Sequence, residues 1–231
     1  MEAQPVVYEA TGSQEQIQSV MDQFKHDIVF GPDGDQQHPP PQLGSYRVAT
    51  LDDVNETEVS NLSSGGLVIG AGPGALLEVR ASQAAFSPPN VLTMRTLTGP
   101  VSQFFSTTEP VTSSGKFPLE NAFGAVFADV NSTSSARLEF LSGVYNVPIT
   151  TTPGTYSFVG VIQRGAASSG GFIYLAGLPD SPPDSPLSGV VSVDEIILGH
   201  NVPEPRPLLL ALIAGLSVAE LARRTRNAFS G

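Results

Sequence analysis

Ala136-Arg137-Leu138-Glu139-Phe140 alternates apolar and charged residues without a break. Successive side chains of an extended chain point to opposite faces, so Ala136, Leu138 and Phe140 face a core while Arg137 and Glu139 face water. That is how a half-buried strand reads, and its neighbours extend the pattern. Upstream, Phe123-Gly124-Ala125-Val126-Phe127-Ala128-Asp129-Val130 is a nearly unbroken apolar run inside a strand expected at Ala122–Val130. Beside Ala136–Leu141, further strands are expected at Gly66–Ile69, Leu76–Ala81, Val91–Leu97, Val101–Phe105, Thr155–Ile162, Gly171–Ala176 and Gly189–Leu198. Short apolar segments separated by turn residues are typical of sandwiches and barrels. The 23 glycines and 20 prolines supply the punctuation, and LPDSPPDSPLS (178–188) is a loop, since a central strand cannot hold its prolines.

One helix is expected before this region. Ile17, Val20, Met21, Phe24 and Ile28 recur at three- and four-residue spacing and form one apolar stripe over about 13–28. Ser13 and Gln16 are placed for a capping box at its start, and Gly31 for its end. Residues 31–66 are loop-rich, with one short strand around Tyr46–Thr50. The chain thus divides into an N-terminal extension (1–12), a β-sandwich domain (13–200) and a tail (201–231). The expected fold class is all-β, a jelly-roll-like sandwich with a short N-terminal helix and a C-terminal hydrophobic helix.

Composition removes several functions. The 22 acidic and 11 basic residues give a net charge of −11, which repels phosphate backbones, so nucleic acid is not an expected partner. Cysteine is absent, which excludes disulfides, zinc-thiolate sites and thiol nucleophiles. His26, His38 and His200 are isolated, with no second histidine at i+3 or i+4, and no G-x-S-x-G elbow occurs. Gly70-Ala71-Gly72-Pro73-Gly74 lacks the Lys-Ser/Thr pair of a phosphate loop and reads as a turn. No catalytic residues are assigned, and the protein is not expected to be an enzyme.

The tail is more specific. Pro203-Glu204-Pro205 precedes the apolar run Leu208–Ala219, and Arg223, Arg224 and Arg226 follow. This order resembles the PEP-CTERM sorting signal. Prolines hold the triplet extended and open to a processing enzyme, and a basic terminus favours the cytoplasmic side of a membrane. The resemblance implies an exosortase as partner, transient residence in the inner membrane through the C-terminal helix, and export to the cell surface or exopolysaccharide matrix of a Gram-negative bacterium. The apolar run stops at Glu220, short of the about 20 residues that span a bilayer, and an amphipathic helix packed on the domain is the alternative. MEAQPVVYEATG has no basic and apolar leader, so the export reading expects a start upstream of Met1.

The apolar strands also look like those of uncharacterised PEP-CTERM surface proteins. The closing Val193-Asp194-Glu195-Ile196-Ile197-Leu198 further resembles the last strand of calcium-containing carbohydrate-binding jelly rolls. That resemblance implies structural calcium at Asp194 and Glu195, with a second acid from Asp33, Asp35, Asp52, Asp53 or Asp129. Calcium takes six to eight oxygen ligands, and none of these acids has a diagnostic spacing. The alternative leaves Asp194 and Glu195 as edge or surface charges that discourage aggregation. Tyr46, Tyr145, Tyr156 and Tyr174 have rings of the kind that stack on sugars, but with Trp absent and most of them inside expected strands, core packing is the expectation. Three functions remain open: a non-catalytic exported surface or matrix protein, a calcium-supported carbohydrate-binding module that takes polysaccharide, and an extracellular polysaccharide hydrolase.

Overall fold

Helix α1 (Gln14–Phe30) begins where its capping residues place it. The Ser13 hydroxyl accepts from the Gln16 backbone N–H at 3.5 Å, and the Gln16 side chain accepts from the Ser13 N–H at 2.9 Å. Both satisfy backbone groups that a helix start leaves open. The helix ends at Gly31, whose φ of 82° favours glycine and whose N–H donates to the Asp27 carbonyl. Ile17, Met21, Phe24 and Ile28 of the expected stripe are buried, and Val20 is partly so.

The computed structural model describes residues 4–201 apart from 32–43, 56, 83–84, 97–102, 109–119, 129, 131–134, 142, 151, 153, 164–169 and 177–190. Fourteen strands occur among the described residues. Strand β1 (Val6–Gly12) precedes the helix, and β2 (Gly44–Ala49), β3 (Thr57–Val59), β4 (Asn61–Ser64), β5 (Leu67–Ala71), β6 (Ala75–Ala81) and β7 (Asn90–Thr96) follow it. Then come β8 (Gln103–Thr108), β9 (Ala122–Ala128), β10 (Ser135–Phe140), β11 (Gly143–Asn146), β12 (Tyr156–Ile162), β13 (Gly170–Ala176) and β14 (Ser192–Asn201). They form an eight-stranded sheet of order β1-β12-β9-β14-β7-β6-β3, with β2 also on β14, and a six-stranded sheet of order β11-β10-β13-β8-β5-β4. From β7 onward the chain crosses repeatedly between the sheets, so sequence neighbours are seldom sheet neighbours.

Residues 6–12 correct the expectation of an extension. They pair along their whole length with β12, from Val6 opposite Ile162 to Gly12 opposite Tyr156. Within 31–66, β2 lies where a strand was expected and β3 and β4 are additional. Strand β11 is also additional, since four residues are too few to show a period.

The two sheets share one core. Phe123, Ala125 and Phe127 of β9 meet Leu138, Phe140, Ile173 and Leu175 of the opposite sheet, and the Phe123 and Phe140 rings lie 5.7 Å apart. A second core lies on the other face of the eight-stranded sheet. There Ala122, Val126, Phe158, Ile162 and Ile197 pack against Ile17, Met21, Phe24 and Ile28 of α1. Strand β9 is therefore buried on both faces, which is why it reads as a continuous apolar run.

The helix docks through one ring. Gly124 and Gly160 sit directly opposite each other on β9 and β12. A Cβ on either would lie 3.0 Å from the Phe24 ring. The paired glycines thus make a recess in which the ring rests, edge-on to Phe158 at 5.5 Å and to Tyr8 at 5.2 Å. Phe24→Ala is expected to cost about 3–5 kcal/mol in urea unfolding, and Phe172→Ala, on an exposed ring, within about 0.5 kcal/mol. Equal losses for the two would show that the helix is not held by this seat.

Candidate functional site

With α1 on one face and the partner sheet on the other, the eight-stranded sheet keeps little free surface around β9. The outer face of the six-stranded sheet has no such cover among the described residues. The outward positions of β10 bring residues from three strands into rows. Asn146, Arg137 and Tyr174 lie opposite one another across β11, β10 and β13. Val144, Glu139 and Phe172 form the next row. Val144 and Phe172 are 56% and 42% exposed, high values for apolar side chains on a strand.

Polar groups tie these rows together. The Arg137 guanidinium lies 4.2 Å from the Tyr174 ring centre, and its Nη2 is 3.3 Å from Glu139 Oε1. The Tyr174 phenol is raised above its ordinary value, by desolvation first and then by its hydrogen bond to Glu139 and that carboxylate's charge, against the opposing Arg137. It therefore stays protonated near neutrality. Beside this row a cleft of about 290 Å³ opens at the end of β10. Buried Ala136, Val147 and Leu175 form its floor, with exposed Ser135, Arg137, Asn146 and Ile149 and half-buried Tyr174 around them. An exposed surface of aromatic and apolar side chains with donors and acceptors beside them suits a ligand that is apolar on one side and polar at its edges.

Sequence reading placed Arg137 and Glu139 on a water-facing side but gave them no role. Phe172, Asn146 and Ile149 it did not single out, since no local signal distinguishes them from other strand and loop residues. Tyr174 was read as a core residue in preference to a sugar contact, and it stands on the outer face. Tyr156 does pack inward, against Phe86 with ring centres 5.2 Å apart, while Tyr46 on β2 is 40% exposed.

Asp194 and Glu195 are neither edge nor surface residues. They lie in β14, a strand paired on both sides, at a register shift between Val193 and Ile196 against β9. Val193 and Ile196 both enter the inter-sheet core, so the extra residue turns Asp194 and Glu195 together towards the helix side. Glu195 Oε2 meets Lys25 Nζ of α1 at 3.4 Å. Asp194 Oδ2 accepts from the Ser87 N–H at 2.9 Å, whereas its buried Oδ1 has no hydrogen-bond partner. Burial pushes the Asp194 carboxyl up to about 7, opposed by the Ser87 and Phe86 N–H groups and reinforced by Glu195 and Asp52.

Of the proposed second acids, Asp52 is nearby, accepting from the Ser87 hydroxyl at 3.4 Å. Asp53 instead binds Ser64 Oγ at 2.6 Å, in its own turn. Asp33, Asp35 and Asp129 lie outside the described residues, as do Pro203, Glu204, Pro205, Arg223, Arg224, Arg226 and the expected C-terminal helix. Among the described residues no three His, Asp or Glu side chains converge as a metal cluster, and no helix is long and apolar enough to cross a membrane.

No protein-family model matches this sequence, and no curated protein does. Among solved structures, the chain is similar to a family 29 carbohydrate-binding module from Piromyces equi, at 9% identity and a TM-score of 0.38 over 71% of this chain and 96% of that one. It is also similar to the C-terminal family 22 carbohydrate-binding module of Clostridium thermocellum Xyn10B, at 15% identity and a TM-score of 0.37 over 72% and 99%. A family 43 arabinoxylan arabinofuranohydrolase from Bacillus subtilis overlaps at 15% identity and a TM-score of 0.33, over 85% of this chain and 38% of that enzyme. These are distant likenesses, and the two-sheet architecture is read from the strand pairing and the shared core.

The Asp194 carboxyl makes stability depend on pH. Its folded pKa of about 7 lies above the ordinary 3.8, so between these values the folded protein keeps a proton that the unfolded chain releases. Stability falls as pH rises through that window, and the loss is complete above it. At about 1.4 kcal/mol per unit, Asp194→Asn is expected to gain on wild type by roughly 2–4 kcal/mol between pH 4 and 8. Parallel urea-derived pH profiles for the two proteins would refute this.

Proposed function

We propose that this protein is a non-catalytic, exported surface or matrix protein whose β-domain binds polysaccharide on the outer face of its six-stranded sheet. The observation that carries this reading is the pair of rows Asn146–Arg137–Tyr174 and Val144–Glu139–Phe172. A sugar ring has an apolar face of C–H groups and a rim of hydroxyls. Tyr174 and Phe172 offer surface to the first, and Arg137, Glu139 and Asn146 offer donors and acceptors to the second. The order β7-β14-β9-β12 against β8-β13-β10-β11 supports a jelly-roll winding for the domain.

Calcium belongs to this proposal as a structural aid. Its oxygen would be the unpartnered Asp194 Oδ1, with Asp52 as the second acid and loop carbonyls completing the set. Glu195, already compensated by Lys25, would contribute less than the sequence resemblance implies. Calcium would also hold Asp194 ionised and remove the stability loss at neutral pH.

The full chain should bind one class of polysaccharide saturably on a broad array. Tyr174→Ala is expected to weaken that binding by about tenfold or more, on the scale of one lost stacking contact. If calcium aids the fold, EDTA lowers the melting temperature of wild type but not of Asp194→Asn. A folded protein that binds no glycan refutes the polysaccharide reading, and a melting temperature indifferent to EDTA refutes calcium.

Export rests on Pro203-Glu204-Pro205, the apolar run and Arg223, Arg224 and Arg226, with an exosortase and the inner membrane of a Gram-negative bacterium as partners. Mass spectrometry of the surface-located protein should then show a C-terminus at or near the triplet. Recovery of the intact chain from the cytoplasm would overturn this.

A further inference from the structure

We infer that the bound polysaccharide is uncharged and O-acetylated, and that the cleft at the end of β10 receives the acetyl group. This rests on the polysaccharide-binding reading above and specifies the ligand of the same face. Charge decides the first part. The platform's cation, Arg137, already has Glu139 at 3.3 Å and the Tyr174 ring beneath it. A uronate or sulfate at Arg137 would lie beside the Glu139 carboxylate and would have to approach a protein of net charge −11. A neutral chain meets neither obstacle.

The cleft decides the second part. Its volume of about 290 Å³ is near the lower end for small-molecule sites, so it takes a substituent or a single sugar unit, not a long chain. Its floor of Ala136, Val147 and Leu175 offers no side-chain hydrogen-bonding group, and Ile149 stands 55% exposed beside it. A free hydroxyl pressed onto that floor would lose water without replacement. A methyl group would gain from the same contact. Ser135, Arg137 and Asn146 border the cleft, above its apolar floor, and can each donate a hydrogen bond. An acetyl ester matches both features, with its methyl on the floor and its carbonyl oxygen accepting from Arg137 or Asn146. A deoxy-sugar methyl would use the floor and leave these donors unused.

The test uses the full chain with partially acetylated glucomannan and partially acetylated xylan, each beside the same polymer after mild alkaline deacetylation. Deacetylation should weaken binding to at least one polymer by about tenfold, the combined worth of a buried methyl and one hydrogen bond. In Ile149→Asp, whose side chain is exposed and whose folding is checked by melting temperature, the ratio of the two affinities should fall towards one. Pectate should bind no better than the neutral polymers. Equal affinity for acetylated and deacetylated forms overturns the acetyl assignment while leaving the polysaccharide reading intact. Preference for pectate overturns the neutral assignment. Absence of binding to all of these, and to the broader array, by a folded protein overturns the polysaccharide reading and this inference with it.

Discussion

The Phe24 ring rests on the Gly124–Gly160 pair, and much of the molecule's organisation depends on that contact. Side chains on either glycine would lift the ring, and with it the helix, off the sheet. Because the contact is close, α1 covers the outer face of the eight-stranded sheet along β1, β12, β14 and β2, and the inner face is already committed to the partner sheet. The capping box at Ser13 and the break at Gly31 fix where the helix begins and ends, so its apolar stripe meets the sheet in register. Among the described residues, a face without such cover remains on the six-stranded sheet, where Val144 and Phe172 are exposed.

That remaining face owes its chemistry to pairing between distant segments. Arg137, Asn146 and Tyr174 meet because β10 pairs with β11 on one side and β13 on the other. A slip of one residue in either pairing would turn Tyr174 or Asn146 inward and place Ile173 or Tyr145 outside. Phe123, seated against Gly171 across the inter-sheet core, helps to hold that register from beneath. The β14 bulge works in the opposite direction. It takes two acids that alternation would place on opposite faces and sets both beside α1, where Lys25 compensates one and the other is left with a raised pKa.

Much of the fold was legible because its signals are local. The helix showed its period and both ends in residues 13–31, and β9 and β12 showed their burial as near-continuous apolar runs. Strand β1 was not legible as structure, since VVYEATG alternates weakly and acquires its state by pairing with β12. Strands β3, β4 and β11 are too short to express a period. The resemblance to a known strand singles out Asp194, but its buried position was not legible, because the bulge exists only relative to β9.

By itself the sequence determined an all-β domain with one capped helix, an acidic balance of charge and the absence of thiol chemistry. Those properties follow from composition, period and short-range capping, each read within a few neighbouring residues. The tertiary structure decided which face is covered, which charged residues share a row, and where a cleft opens. Such outcomes depend on strand register and helix docking, which join segments far apart in the chain and leave no mark in any one of them.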